Sequence, residues 1–409
     1  MMIFFSNLSN LLSEITSLAW IIFFSIIYIV LISFYNIIIL ILYIKRIKEY
    51  KKYKDQEKIL ISDFKSLPLV NIIIPAWKEG RIFKNLLFSI IKLNYPNIRV
   101  ITNAGGNDET LQIANSFKNF ENFVILHQKG GSDRPSLGKI KAINECLKYV
   151  SEGIIYFIDA DSDINDEIFL RMIYPIINFG ENIIIGGVKP LKNQIKKPLV
   201  KYLQFDRFKT LNRRFDRHFQ SKVITGQNFC ITYDVLKSFG EFSIQKLIPT
   251  DRLMGIDIFS KGYRAYRLVD YRHRIFVDYS VSLKEYFHQR LIWNENYLYT
   301  SLKLHKIKNI FKFLSLWVIS LYFLSFPILI FIDLRFFFPG IVIFFTIILK
   351  KLRRLFIYTK TVDKKYYDSY QISFLFYLIF YIIFDKIITF YVLVHFIVFL
   401  RKLKRTNVI

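Results

Sequence analysis

The sequence predicts an α/β domain with a mostly parallel sheet, together with α-helical transmembrane segments at both ends of the chain. Two patterns support this prediction. Short apolar runs typical of buried strands alternate with helical patterns in the middle of the chain, and long uncharged stretches lie towards both ends. Strands separated by helices indicate parallel pairing with crossover helices, and about 20 apolar residues are enough to cross a bilayer as a helix.

The strands and helices of the predicted α/β domain begin after residue 68. The strands are predicted at residues 69–74, 99–102, 124–126 and 154–158, and the helices at 83–93, 111–117 and 139–149. In a parallel sheet of this kind the loops after the strands meet at one edge, where ligands bind. Polar residues directly after each predicted strand are therefore the candidates for a ligand-binding site.

The composition indicates contact with lipid. Of the 409 residues 53% are hydrophobic, with 42 Phe and 26 Tyr, and the formal net charge is +26. Such a charge is compatible with nucleic acid, an anionic bilayer surface or anionic substrates. The two cysteines, Cys146 and Cys230, are far apart and have no metal-binding spacing, so we predict two reduced, buried thiols.

The first predicted transmembrane helix covers residues 15–44, which include no charged residue. Thirty helical residues extend roughly 45 Å, which is too long for a cleaved signal peptide. Basic residues begin at Lys45 and Arg46, so the positive-inside rule places the N-terminus outside and the following domain in the cytoplasm. The predicted organisation is an anchor at 1–44, a basic linker at 45–67, the α/β domain with interfacial helices at 68–300 and a second transmembrane region at 301–409.

Three acids follow the fourth predicted strand at alternate positions, Asp159, Asp161 and Asp163. Carboxylates at positions i and i+2 of an extended chain share a side, so two of them can bind one divalent cation beside a diphosphate. A surface turn rich in Asp is the alternative. The same sheet edge collects the segment 75–79, the segment 103–108 and Gly138-Lys139, and a glycine turn and a helix start with a lysine both favour phosphate oxygens.

Residues 68–293 resemble the inverting family 2 glycosyltransferases of the GT-A (Rossmann-like) fold, most closely the membrane-embedded synthases of hyaluronan, cellulose, chitin and poly-N-acetylglucosamine. Four segments carry the resemblance. They are residues 70–79, which include Pro75-Ala76-Trp77-Lys78-Glu79, Leu93-Asn94-Tyr95-Pro96-Asn97, Gly138-Lys139-Ile140-Lys141-Ala142-Ile143-Asn144 and Asp159-Ala160-Asp161. The chain departs from the family at Asn103-Ala104-Gly105-Gly106, where the family usually has Asp-Asp-Gly-Ser, which leaves the donor nucleotide open.

The resemblance implies a set of donor-binding residues and a metal site. The residues implied for the nucleotide-sugar are Pro75, Trp77, Glu79, Asn103, Gly105, Asp108, Lys139 and Asp159. Asp159 and Asp161 are implied as ligands of Mg²⁺ or Mn²⁺, and a uridine diphosphate sugar is the first candidate donor.

The resemblance also implies a base and an acceptor site. Pro249-Thr250-Asp251 precedes Gly262-Tyr263-Arg264 at the family's interval, which makes Asp251 the general base, with Asp257 as the second candidate. Gln227 and Asn228, in the segment 225–228, border the implied acceptor pocket, where a polar turn is the alternative. Gln289, Arg290 and Trp293 resemble the Gln-x-x-Arg-Trp signature of processive synthases, although Ile292 occupies the position of its Arg.

Two further regions bear on the membrane. Basic residues between 189 and 222 alternate with Leu199, Leu203, Phe205 and Phe208, which predicts a helix on an anionic bilayer surface rather than a nucleic-acid site. Near the C-terminus, residues 313–332 form one predicted span and 336–349 a marginal one. The apolar segments 369–384 and 387–400 flank Asp385-Lys386, so one long helix, two short spans or an interfacial segment are all open, with at least three spans in the chain.

The predicted protein is a multi-pass plasma-membrane glycosyltransferase with a cytoplasmic catalytic domain. It transfers a sugar with inversion from a nucleotide-sugar to a glycan or lipid-linked acceptor at the bilayer. Polysaccharide synthesis is the first version and single transfer to a polyprenyl phosphate or glycolipid the second. A non-catalytic membrane scaffold is the alternative of another class.

Overall fold

The computed structural model describes residues 2–54, 58–106, 108–128, 138–207, 218–219, 224, 226–244, 250–268, 273–303, 307–361 and 372–405. The chain divides into two compact units. One unit comprises Met1–Glu49 with Ser282–Ile409, and the other comprises Tyr50–Val281.

The described elements are numbered in chain order. The strands are β1 (Val70–Trp77), β2 (Ile98–Gly105), β3 (Phe123–His127), β4 (Ile154–Ile158), β5 (Ser162–Asp163), β6 (Ile183–Ile185), β7 (Val188–Pro190), β8 (His218–Phe219), β9 (Asn228–Thr232), β10 (Ala265–Arg267) and β11 (Ile275–Val277). The helices are α1 (Met2–Lys54), α2 (Gly80–Ile91), α3 (Thr110–Asn115), α4 (Lys139–Leu147), α5 (Asp166–Phe179), α6 (Pro198–Arg207), α7 (Tyr233–Phe239), α8 (Thr250–Ser260), α9 (Leu283–Lys303), α10 (Ile307–Ile332), α11 (Phe337–Thr361) and α12 (Ile372–Arg405).

The unit 50–281 contains an eight-stranded, mostly parallel sheet in the order β3-β2-β1-β4-β9-β6-β10-β8. The pairs β1–β2, β1–β4, β2–β3 and β6–β10 are parallel, whereas β9 and β8 run antiparallel to their neighbours. The predicted α/β fold class is therefore confirmed. All four predicted strands lie within β1 to β4, give or take one residue at their starts, and the predicted helices correspond to α2, α3 and α4.

Continuous apolar runs form the central strands because helices cover both faces of the sheet. Every residue of β4 is buried, and Ile72, Ile73 and Ile74 of β1 are fully buried. Helix α2 places Phe83, Leu86, Leu87 and Ile90 on its buried face, at the spacing of an amphipathic helix. On the other face, α4 contributes Ile140 and Ile143 to the cluster that contains Ile73 and Ile155.

A second, three-stranded sheet in the order β5-β11-β7 fixes the segment after β4. Asp163 of β5 pairs with Phe276 of β11, and the amide of Asp278 donates a hydrogen bond of 3.1 Å to the carbonyl of Asp161. The backbone around the paired acids is therefore held from both sides, by β4 and by β11.

Among the described residues of the other unit, three helices are long and apolar enough to cross a membrane by length and composition. These helical segments are Ser13–Ile44, Ile307–Ile332 and Phe376–Phe396. The segments on either side of Asp385-Lys386 form a single helix, α12, which answers the question that the sequence left open. Helix α9 packs against α12, and the hydroxyl of Tyr286 hydrogen-bonds the carboxylate of Asp385.

Two other predictions have structural outcomes. Both cysteines are buried free thiols, as predicted, and burial raises the pKa of Cys146 above its usual range. In the basic region, Leu199, Leu203 and Phe205 of α6 are buried, so these side chains do not form an exposed apolar stripe. Phe208, Lys209, Arg213, Arg214, Arg217 and Lys222 lie outside the described residues.

Candidate active site

A cleft of about 190 Å³ opens at the carboxyl ends of β1, β3 and β4 and at the start of α4. It is lined by Pro75, Trp77, Glu79, Gln128, Gly138, Lys139, Asp159, Ala160 and Asp161. Six of these nine residues belong to the donor or metal residues predicted from the sequence. The parallel sheet brings them together because its strands end at the same edge.

Lys139 and Asp159 form an ion pair in this cleft. The Nζ atom of Lys139 lies 2.5 Å from Oδ1 of Asp159, and the side chains are 30% and 17% exposed. Gly138 precedes the helix with a left-handed φ of 90°, a conformation that glycine adopts without strain. Burial lowers the pKa of Lys139, but Asp159, Asp251 and Asp161 outweigh it and hold the pKa above its usual value. Lys139 therefore stays protonated among these acids.

Asp161 contributes a carboxylate oxygen that fits a cation. Its Oδ1 is buried and has no hydrogen-bond partner within the described part of the chain. Burial, followed by repulsion from Asp159 and Glu79, raises the pKa of Asp161 to about 7. A bound divalent cation would satisfy the orphaned oxygen and remove the repulsion between Asp159 and Asp161.

The protein supplies only part of such a cation's coordination shell. Among the residues that the structure describes, no three His, Cys, Asp or Glu side chains come together in an arrangement able to hold a metal ion. The two carboxylates fit a hard cation that takes its remaining oxygens from water or a ligand, as is usual for Mg²⁺.

Glu79 lines the cleft at the end of β1, where the backbone is strained. The preceding residue, Lys78, has a φ of 61°, which is uncommon for a residue with a side chain. Burial and the nearby Asp159 raise the pKa of Glu79 to about 7. Strain of this kind persists only where the surrounding structure holds it in place.

Asp108 and Thr110 provide that support from behind the cleft. The hydroxyl of Thr110 accepts hydrogen bonds from the amides of Glu79 and Gly80, at 2.8 and 3.0 Å, and donates one to Asp108 at 2.9 Å. The Asp108 carboxylate also accepts from the amide of Thr110. Asp108, predicted to bind the nucleotide, is therefore engaged with the loop that carries Glu79 and does not line the cleft.

Asn103 and Gly105 lie beneath the cleft rather than along it. Asn103 is buried, and its carbonyl accepts a hydrogen bond of 3.4 Å from the side chain of Gln128. At Gly105 an added Cβ would lie 2.9 Å from the ring of Trp77 and 2.7 Å from the carbonyl of Gln128, so only glycine fits. Sequence reasoning missed Gln128, although it directly follows β3 at the same sheet edge.

Asp251 lies in the first turn of α8, against Gly226. An added Cβ at Gly226 would lie 2.8 Å from Cγ of Asp251, so the carboxylate packs directly on the glycine. Burial raises the pKa of Asp251, while Lys139 and the Gly226 amide oppose the shift. The charges of Lys139 and Asp159 also act on the Asp251 carboxyl, lowering and raising its pKa respectively.

Asp257, the second candidate for the base, has a structural partner. Its carboxylate accepts hydrogen bonds from the amide and the hydroxyl of Ser243, at 2.7 and 2.8 Å. This pairing fixes the loop after α7 to α8. The Asp251 carboxylate instead packs against Gly226, and it raises the pKa of Lys139.

The predicted acceptor residues differ in their burial and in the unit to which they belong. Asn228 is fully buried, and its side chain accepts from Tyr156 at 2.7 Å and donates to the carbonyl of Gly187 at 2.9 Å, so both its polar atoms are used within the sheet. Gln227 is half-buried beside it, and Thr225 lies outside the described residues. Gln289, Arg290 and Trp293 belong to α9, in the other unit.

Within α9, Arg290 is held against two aromatic rings. Its Nε donates a hydrogen bond of 3.1 Å to the hydroxyl of Tyr286, and its guanidinium lies 5.5 Å from the ring centre of Trp293. Trp293 is 43% exposed. An exposed indole next to an arginine is a surface on which a sugar ring can stack.

Comparison with known proteins shows which family the domain resembles. Residues 71–239 match the family "Glycosyl transferase family 2". A probable glycosyltransferase, YdaM of Bacillus subtilis, is 22% identical over 210 residues, which are 49% of this chain and 49% of that protein. The poly-beta-1,6-N-acetyl-D-glucosamine synthase of Staphylococcus epidermidis is 27% identical over 128 residues, 31% of this chain and 29% of that protein. The chain thus spans half or less of the length of these relatives.

Two solved structures are similar to this chain over part of its length. The mannosyltransferase PcManGT of Pyrobaculum calidifontis, in complex with GDP-Man and Mn²⁺, has 16% identity and a TM-score of 0.46, over 68% of this chain and 75% of that one. TarS of S. aureus, in complex with UDP-GlcNAc, has 16% identity and a TM-score of 0.37, over 56% and 66%. The family match shows that residues 71–239 form a glycosyl transferase family 2 domain.

Proposed function

We propose that the protein is a membrane-bound inverting glycosyltransferase that transfers a sugar from a nucleotide-sugar to a glycan held at the membrane, as polysaccharide synthases do. One observation carries the proposal. Lys139, Asp159, Asp161 and Glu79 line one cleft at the edge of the sheet, and Asp251 is electrostatically coupled to its lysine. A lysine among acids, with one acid oxygen unsatisfied, suits a sugar diphosphate and a cation.

The donor diphosphate would lie beside Lys139 and the N-terminus of α4, since an ammonium group and free helix amides both attract phosphate oxygens. Trp77 and Gln128 offer an aromatic face and an amide for the nucleoside, for which uridine is the first candidate. Asp159 and Asp161 would hold Mg²⁺ or Mn²⁺. When bound, the ion neutralises charge on the departing diphosphate.

Asp251 is proposed as the general base. An inverting transfer needs a carboxylate near the acceptor hydroxyl to accept its proton as the oxygen attacks the anomeric carbon. The raised pKa of Asp251 strengthens it as a proton acceptor. Lys139 opposes that rise in the pKa of Asp251.

The membrane supplies the setting for the acceptor. Three helices are apolar enough to span a bilayer, and the basic residues that follow residue 44 favour a cytoplasmic catalytic domain. The exposed Trp293 of α9 would stack on the acceptor sugar, with Arg290 and Gln289 as its polar neighbours. Arg290 then provides the cation that Ile292 does not.

Single transfer to a polyprenyl phosphate or a glycolipid is the second candidate, and product size separates the two. Full-length protein in detergent is incubated with labelled donor, and the product is run on a gel. A high-molecular-weight smear that a glycosidase removes supports the synthase and excludes single transfer. A discrete lipid-linked product does the reverse.

A non-catalytic scaffold is the alternative of another class. Nucleotide-sugars are screened one by one, with Mg²⁺ or Mn²⁺, for protection against thermal unfolding, since a ligand at a hundred times its Kd stabilises by about 2.7 kcal/mol. Binders are then assayed for transfer and hydrolysis. If no donor protects or reacts, and Asp251→Asn changes nothing, the scaffold replaces the enzyme.

A further inference from the structure

A groove of about 310 Å³ lies between α1 and α11, within the unit that contains the candidate membrane spans. Its α1 wall consists of Ser33, Asn36, Ile37 and Leu40, and its α11 wall of Leu349, Leu352, Arg353 and Phe356. Each wall follows the spacing i, i+3, i+4, i+7, which is one face of a helix. Two helix faces thus enclose a mostly apolar groove that contains one cation.

The cation of the groove is held in place by α1. Nη1 of Arg353 donates a hydrogen bond of 2.6 Å to Oδ1 of the buried Asn36, whose amide nitrogen donates to the carbonyl of Ile32. Asn36 therefore orients the guanidinium but cannot neutralise it. A guanidinium has five N–H donors, and this contact uses one of them.

Neither the apolar stretch of α1 nor α11 supplies an acid to balance Arg353. Residues 15–44 of α1 contain no Asp or Glu, and neither does α11. Lys350, one turn before Arg353, is repelled by Arg354, Arg353 and Lys312. Charges of one sign crowd together here, and an anion from outside the chain would lower their mutual repulsion.

The level at which Arg353 contacts α1 increases the stabilisation that such an anion would give. Asn36 precedes Lys45, the first charged residue after the apolar stretch, by nine residues, or about 13 Å of helix. On the membrane topology of the proposed function, Arg353 therefore lies deeper in the bilayer than Lys45. An unpaired charge is costly at that depth. The groove also exposes Ile37, Leu352 and Phe356, as a surface that meets lipid chains would.

We propose that this groove binds one anionic glycerophospholipid, with its phosphate at Arg353 and Lys350 and an acyl chain along Ile37, Leu40, Leu352 and Phe356. The charge of the walls favours an anionic lipid over a zwitterionic one. The apolar lining favours a lipid over free phosphate. This inference rests on the membrane setting of the proposed function, but not on catalysis.

The test is the amount of bound lipid on the full-length protein. The detergent-purified protein is titrated with phosphatidylglycerol or with phosphatidylcholine of the same chains, and bound lipid is counted by native mass spectrometry. We expect phosphatidylglycerol to bind in about one copy, and Arg353→Gln with Lys350→Gln to weaken it at least tenfold, the effect of losing one or more charge-assisted hydrogen bonds. Lys308→Gln, which removes one charge outside the groove, is the control.

Leu352→Trp fills the groove without changing charge and is expected to weaken binding similarly, so it decides the outcome if the charge variants do not fold. Equal binding of both lipids, or selectivity that neither variant reduces, would overturn the proposal. Displacement of phosphatidylglycerol by an equal amount of polyprenyl phosphate would overturn it in favour of an acceptor-lipid site. The readout is bound lipid and does not depend on catalysis. If the protein binds phosphatidylglycerol selectively but transfers no sugar, the proposed function is wrong and the lipid site stands.

Discussion

Nζ of Lys139 lies 2.5 Å from Oδ1 of Asp159, where the start of α4 meets the end of β4. The lysine approaches the acids from a helix whose free amides point the same way. In this arrangement one cation and one helix terminus face three acids, Glu79, Asp159 and Asp161. In the proposed function, the metal ion would offset the negative charge of the acids, and Lys139 would contact the diphosphate.

Replacing Lys139 with Gln is expected to weaken donor binding about 10- to 100-fold, the effect of losing one charge-assisted contact with phosphate. Calorimetric titration with the donor diphosphate measures the change. Lys141→Gln is the matched control, because Lys141 is exposed on the same helix. If both variants bind the diphosphate equally well, Lys139 does not contact it.

Asp251→Asn is expected to lower the transfer rate by about 10²- to 10⁴-fold, as removal of a general base does, while donor affinity stays within twofold. Asp257→Asn should leave the rate nearly unchanged and lower thermal stability, since its carboxylate fixes Ser243. Initial rates and melting temperatures of both variants separate the roles. The reverse pattern would assign the base to Asp257.

Gly226→Ala is expected to reduce the rate about 100-fold through displacement of the Asp251 carboxylate, which packs against the glycine. Donor affinity should not change. The double variant with Asp251→Asn should lose no more than Asp251→Asn alone, because residues that act as a unit are not additive. An independent, multiplicative loss would show that Gly226 acts elsewhere.

Asp161→Asn is expected to raise the melting temperature of the metal-free protein by about 2–4 °C, because it removes one buried negative charge from a repelling group. The same variant should lose the stabilisation that Mn²⁺ with a nucleoside diphosphate gives the wild type. Asp163→Asn, on the adjacent strand β5, is the control. A lower melting temperature for Asp161→Asn would contradict the repulsion.

The pH dependence of stability is expected to involve Glu79, whose pKa is raised from 4.5 to about 7. The folded state holds this proton more tightly than the unfolded state. Glu79 therefore favours folding at low pH, and this contribution is lost as the pH rises through 7. Glu79→Gln should match the wild type below about pH 4.5 and exceed its melting temperature increasingly between pH 4.5 and 7, with little further change above pH 7. A constant difference would exclude the shift.

Local sequence signals predicted the sheet and part of the cleft. β1 to β4 contain short apolar runs, and Pro75, Trp77, Lys139, Asp159 and Asp161 follow from their place at the strand ends and from family motifs. These signals are short-range, since a strand's carboxyl end can be located without knowing its neighbours. They therefore indicated which residues meet at the edge of the sheet.

Contacts between distant residues were not predictable in the same way. Asn228 is engaged by Tyr156, 72 positions earlier, and Asp108 by Thr110 in support of a loop 30 positions away. The sequence shows a polar residue at each place but not the group that satisfies it. The single helix α12 is a similar case, because Asp385 is stabilised by Tyr286 from α9, a partner that hydropathy does not reveal.

The engagement of Asp257 by Ser243 also constrains how this protein can evolve. In a lineage that lost the carboxylate at position 251, the next acid on α8 is Asp257, which is already hydrogen-bonded to Ser243. Asp257 could therefore not take over as the base without releasing the loop that contains Ser243. Homologues should therefore fall into two groups, transferases with an acid at this position and inactive proteins without one. A survey that finds active homologues lacking that acid would show that proton removal has another route.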